Sequence, residues 1–141
     1  AGLGDPCFDK LNARLAQALM SIATVKGIEF GDGFGASQLK GTVNNDRFVL
    51  KGGTVGTATN HSGGIMGGIS TGEDIVIRMA LKPPSSIPTP QKTLNEKKQE
   101  VEVIVKGRHD PCLAPRVVPV AEAMIALTLV DCMMIQKSSQ M

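Results

Sequence analysis

Tryptophan and tyrosine are absent from this 141-residue chain, and four phenylalanines are its whole aromatic content. That scarcity argues against the aromatic platforms on which nucleic-acid bases and sugar rings stack. Charge of one sign is scarce as well, since 15 Lys and Arg stand against 13 Asp and Glu and leave a formal +2. So small an excess does not hold a protein on nucleic acid by bulk electrostatics, and any anion must be held locally. Cysteine is sparse: Cys7, Cys112 and Cys132 lie far apart with no CxxC pair, which favours free thiols in a reducing compartment over a disulfide framework. The only close Cys/His pair is His109 with Cys112, so no metal site is expected. No secretory signal opens the chain, and the uncharged apolar run between Glu122 and Asp131 is less than half of the roughly 20 residues a spanning helix needs. Neither a nucleic-acid nor a membrane partner is expected. Ala1 in place of Met, with a core-type helix close behind it, makes a piece of a longer protein the expectation.

What the chain does have is a hydrophobic share of 42% and a charged share of 20%, enough for one globular core. Asp5 and Pro6 read as a helix start, with Phe8, Leu11, Leu15, Ala18 and Leu19 following at helical spacing. Val25, Ile28 and Phe30 suggest a short strand closed by the GDGFG stretch at 31–35. Residues 41–56 read as a mobile excursion or hairpin. Residues 75–82, IVIRMALK, have strand length and β-branched content and stop at Pro83 and Pro84. A polar connection over 85–99 leads to a second strand at 101–106, where Val101, Val103 and Val105 share one face and predict half-burial. Residues 120–136, rich in Ala, Met and Leu, predict a largely buried terminal helix with Lys137 near its negative end.

Chemistry concentrates in three glycine- and proline-bearing blocks, TNHSGGIMGGISTGE at 59–73, KPPSS at 82–86 and GRHDPC at 107–112. Glycine loops expose backbone N–H groups to anions, and Lys82 with Ser85 and Ser86 offers a charge and two hydroxyl donors, a set suited to phosphate. The same glycines also serve tight turns. GGIMGGIS lacks the ending of a P-loop and the strand, turn, helix order of a dinucleotide fingerprint. In GRHDPC, Arg108 offers a planar fork for phosphate or carboxylate, and His109 and Asp110 could move protons; a structural Arg108–Asp110 ion pair is the competing reading. His61 reads as a turn residue, with no nucleophile evident beside it.

Taken together and in order, GLGDPCFDKL, ALMSIATVKGIEFGDGF, TNHSGGIMGGISTGEDI, KPPSSI and KGRHDPCLAPRVVPVAEAMIAL resemble the C-terminal part of chorismate synthase. The resemblance implies an α+β fold, a βααβ sandwich in which sheets cover a helical centre, with residues 1–141 as the C-terminal part of a single domain whose N-terminal part is absent. It implies 1,4-elimination of phosphate from 5-enolpyruvylshikimate 3-phosphate to give chorismate, in the shikimate pathway to aromatic amino acids. Reduced FMN is needed although the reaction has no net redox change. Such enzymes are homotetramers in the cytoplasm, or in plastids of plastid-bearing organisms.

By position, the resemblance makes Ala23, Thr24, Gly67, Lys82, Pro83, Pro84, Ser85, Ser86 and Arg108 the cofactor-binding candidates. Arg108 is also placed near the substrate, and Asp110 resembles the aspartate that handles the proton at flavin N5. Ala23-Thr24 stands where many relatives have Asn-Ala. The family's two catalytic histidines, arginine-rich substrate loops and GRSSAR-like flavin segment belong to its N-terminal part and have no match here, so His61 and His109 do not take those roles. These 141 residues alone are expected to be inactive and to expose a face that the other part covers. The alternative is a noncatalytic FMN- or phosphate-binding or oligomerisation fragment.

Overall fold

The computed structural model of the chain describes residues 1–139. In order they form α1 (Leu11–Met20), β1 (Val25–Phe30), a 3₁₀ segment (Gly33–Gln38), a short α2 (Gly41–Asn44), β2 (Phe48–Lys51), β3 (Thr54–Thr57), β4 (Ile65–Met66), β5 (Ile69–Ser70), β6 (Ile77–Leu81), β7 (Gln91–Leu94), β8 (Glu100–Val103) and α3 (Ala114–Ser139). All four ladders are two-stranded and antiparallel, β1 with β6, β2 with β3, β4 with β5 and β7 with β8. Helices and antiparallel strands mix in one α+β unit.

The core forms where α1 crosses α3 and backs onto β1. Leu11, Leu15 and Leu19 recur every fourth residue, so they make one stripe, and all three are fully buried. Leu11 and Leu15 join Ile65 and Cys132 in one cluster, and Phe30, Ile75, Ile77, Ile125 and Leu129 pack against it. Arg14 ties the helix pair from outside: its guanidinium pairs with Asp131 and donates to Cys132 Sγ at 3.2 Å.

The first helix starts later than Asp5 and Pro6 predict. Asp5 Oδ1 accepts the Cys7 N–H at 2.9 Å in a local turn. Phe8, at φ 54°, is 93% exposed instead of in the core. The reason is an attachment upstream: Gly2 N–H donates to the Ser70 carbonyl, Ser70 N–H to the Leu3 carbonyl, and Leu11 N–H to the Gly68 carbonyl. These bonds spend the entering chain on the β4–β5 hairpin. Residues 48–57 resolve into the β2–β3 hairpin, with Gly52 and Gly53 both at positive φ as a tight two-residue turn requires.

Further expectations are corrected. The connection 85–99 contains a strand, β7, and the expected strand at 101–106 is shorter, Glu100–Val103, with Val101 and Val103 exposed. Alternation gave those valines a common face, but nothing among the described residues covers the hairpin. The terminal helix begins six residues earlier than expected, because Pro115 falls in its first turn, where a missing N–H costs nothing. It is also mostly exposed: Val117, Ala121 and Cys132 are buried, whereas Leu127, Val130, Met134 and Ile135 are not. At 26 residues α3 is long and apolar enough, by length and composition, to cross a membrane. The short run between Glu122 and Asp131 hid this, because the charges are isolated within the helix; its buried residues meet α1, as a core helix does.

Candidate functional site

Beside the β1–β6 ladder lies an open cleft of about 520 Å³, a size within the usual range for small-molecule sites. Its walls are the start of β1, the KPPSS turn after β6 and the GRHDPC loop before α3. The antiparallel register joins the first two: Val25 pairs with Leu81, and Lys82 N–H donates to the Thr24 carbonyl at 2.7 Å. Pro83 and Pro84 then turn the chain across the cleft.

Of the residues singled out from sequence, Thr24, Lys82, Pro83, Pro84, Ser85, Ser86, Arg108 and Asp110 meet in this cleft. Ala23 and Gly67 do not line it. Gly67 sits in the two-residue turn between β4 and β5 at φ 60°, next to Gly68 at 91°, a backbone conformation that glycine adopts without strain. Lys26, His109 and Leu113 line the cleft without having been assigned to it.

Charge in the cleft is arranged for an anion. Lys26, Lys82 and Arg108 are cationic, Ser85 and Ser86 add hydroxyls, and the single carboxylate is Asp110. Asp110 is already engaged, Arg116 Nη1 donating to its Oδ2 at 2.9 Å and Arg108 Nη1 approaching Oδ1 at 3.4 Å. The 3.4 Å contact is long for a charge-assisted bond. Arg108 is mostly exposed and keeps the other edge of its guanidinium for a ligand. Cations without a full set of partners, hydroxyl donors and a turn held open by two prolines suit a phosphate-bearing ligand, so the donor set fits FMN or a phosphorylated substrate. Thr24 carries strain at this edge: a β-branched residue at φ 79°, with a buried hydroxyl lacking a hydrogen-bond partner.

The glycine-dense block does different work. A Cβ on Gly31 or on Gly63 would collide with the backbone of the other loop, so GDGFG and TNHSGG interlock only as glycine. Asp46, missed in the sequence, anchors this junction. Almost fully buried, it accepts the Thr59 hydroxyl at 2.8 Å, the His61 N–H at 2.8 Å and the Ser62 N–H at 2.7 Å. Burial pushes its carboxyl up, but the hydrogen bonds from Ser62, Thr59 and His61 together outweigh it and pull the pKa down to about 2. The His61 ring lies 2.6 Å from the Asp32 carboxylate, within the turn that the sequence predicts for it. Glu73 also sits below its ordinary range, chiefly because of Lys51, and it holds the β2–β3 hairpin to the block through the Thr57 N–H.

Comparison with known proteins gives this arrangement a family. The chorismate synthase family model matches residues 1–134. A chorismate synthase of Archaeoglobus fulgidus is 58% identical over 137 residues, covering 96% of this chain and 38% of that protein. One from Lachnospira eligens is 58% identical over 130 residues, covering 92% and 36%. A crystal structure of a chorismate synthase superposes with a TM-score of 0.73 at 30% identity, covering 96% of this chain and 34% of the other. The chain thus spans less than two fifths of the relatives it matches, and by its sequence and its fold it belongs to the chorismate synthase family, corresponding to a C-terminal part.

Proposed function

We propose that residues 1–141 are the C-terminal part of a single chorismate synthase domain and form one wall of its FMN and substrate site. The full-length protein is then a lyase that eliminates phosphate from 5-enolpyruvylshikimate 3-phosphate to give chorismate, working in the cytoplasm or a plastid as a homotetramer. The observation that carries this reading is the convergence of Lys82, Ser85, Ser86, Arg108 and Asp110 on one anion-seeking cleft, from two segments, 82–86 and 108–110, that lie 22 residues apart in sequence.

Lys82 and the two serines would hold the cofactor, with Thr24 and the prolines shaping the edge on which it rests. Ala23 and Gly67 would act through backbone position instead of side-chain contact. Reduced FMN, when bound, would supply the transient electron that eases phosphate departure. Arg108 would orient the substrate anion with its exposed edge, and Asp110 would hold the proton exchanged at flavin N5 while Arg116 fixes its second oxygen.

Titration of FMN into the full-length protein tests the assignment. Lys82→Ala should weaken binding by about 1.5–3 kcal/mol, the worth of a charge-assisted contact, with melting unchanged because the side chain is exposed. An unchanged titration would make Lys82 a solvated turn residue and remove the cleft from flavin binding.

A further inference from the structure

The ladder of β1 and β6 is regular from Phe30 back to Gly27, each residue facing one partner. It then slips: Gly27 pairs with Ala80 and Val25 with Leu81, so Lys26 is an extra residue with no partner of its own, a β-bulge. The consequence follows from alternation. Phe30 packs on the core, and in an unbroken strand Ile28 and Lys26 would share its face while Val25 pointed away. The bulge reverses this order, leaving Val25 buried in the core and Lys26 exposed on the cleft wall.

The bulge adjoins the strained Thr24, so two departures from regular backbone stand side by side at one edge of the cleft. Strain of this kind persists only where surrounding structure enforces it, and it gathers at ligand sites. Here the Lys82 N–H bond to the Thr24 carbonyl enforces it, and it brings two lysines to the same cleft. Among the described residues neither Lys26 nor Lys82 has a carboxylate within 4.0 Å, whereas Arg14, Lys51, Arg78 and Arg116 each do. Two ammonium groups on one cleft, neither neutralised by a carboxylate, together favour an anion that carries two charges.

Resting on the site reading above, we propose that Lys26 is a further ligand-binding residue, delivered by the bulge, which together with Lys82 grips a doubly charged phosphate monoester. Two ligands of the site carry that group, the flavin cofactor and the phosphorylated substrate, and the test separates them. Lys26→Met, Lys26→Arg and Lys97→Met are made in the full-length protein, Lys97 lying in the β7–β8 turn outside the cleft. Binding of FMN, of riboflavin, which lacks the phosphate, and of 5-enolpyruvylshikimate 3-phosphate is measured by titration beside the melting temperature.

Lys26→Met is expected to lose about tenfold in affinity for one phosphate ligand at unchanged melting temperature, with Lys26→Arg within about threefold of the parent and Lys97→Met unchanged. A loss for FMN but not for riboflavin assigns the flavin phosphate, and a loss confined to the substrate assigns the substrate's. Equal binding of both ligands by Lys26→Met and the parent overturns the proposal and leaves the site reading standing. A parent protein that binds neither ligand overturns both. Loss of binding and early melting in Lys26→Arg as well as Lys26→Met would make Lys26 structural and also refute it.

Discussion

Replacing Asp110 with Asn in the full-length enzyme should lower single-turnover rates about 100-fold or more while FMN and substrate affinities change little. The side chain is three-quarters buried at the cleft wall, with Arg116 at 2.9 Å on one oxygen and Arg108 at 3.4 Å on the other. Asparagine preserves the shape and can still accept from Arg116, but it cannot take up and return a proton. A factor of 100 corresponds to about 2.7 kcal/mol of barrier. The competing structural reading makes the opposite forecast. If Asp110 serves only to join Arg108 to Arg116, the variant melts earlier and turns over at full speed once folded. Rates and melting temperature measured on the same preparation separate the two, and a fast, less stable Asp110→Asn enzyme would refute the proton-handling role.

Asp46→Ala should be among the most destabilising single changes in the chain, at about 3 kcal/mol. Three donors, the Thr59 hydroxyl and the N–H groups of His61 and Ser62, lose their acceptor at a buried position. Its pH dependence carries a definite sign. The folded-state pKa of about 2 lies below the ordinary value of 3.8, so the ionised group stabilises the fold above pH 4 and that contribution, about 2 kcal/mol, fades as pH falls towards 2. Denaturation of parent and variant at pH 7, 4 and 2.5 checks this, with the gap between them narrowing on acidification. A gap that is constant with pH would show that the carboxylate's charge is not what holds the junction.

Two of the blocks singled out from sequence line the cleft, and they were legible because each gathers its polar groups within a few residues. KPPSS supplies a cation, two hydroxyls and a chain-turning proline pair within five residues, and GRHDPC sets Arg108 and Asp110 two apart. Both meet in the cleft, although β8 ends at Val103 and the loop, not a strand, presents them. The helical stripe of Leu11, Leu15 and Leu19 was equally plain. What stayed hidden depends on partners distant in sequence. Asp46 looks like a polar turn residue until the TNHSG loop folds over it. Phe8 fits the helical period but is displaced because residues 2–4 are engaged by Ile69 and Ser70 of β5. Lys26 did leave a trace: it stands in register with Ile28 and Phe30, where an unbroken strand would carry a lysine towards the core. That conflict signals a bulge, but only the pairing with Leu81 and Ala80 shows where it falls.

The exposed apolar face of α3 fits a chain that spans 38% of its Archaeoglobus relative. Val120, Leu127, Val130 and Met134 are all exposed and cluster on the side of the helix turned from the core, as a surface that packs against another part of a protein does. In the full-length domain this face would be covered, and the open cleft would acquire its opposite wall. Water exclusion and fixed donors are what make such a site effective, so the 141 residues by themselves are expected not to organise flavin and substrate together.

Phosphate release from 5-enolpyruvylshikimate 3-phosphate, followed anaerobically with and without reduced FMN, tests the central claim most directly. The full-length protein should release phosphate and form chorismate only when reduced FMN is present, while the 141-residue chain under the same conditions stays at the blank. Turnover by the short chain alone would contradict the claim that it holds one wall of the site, and a full-length protein inert with reduced FMN would contradict the lyase assignment itself.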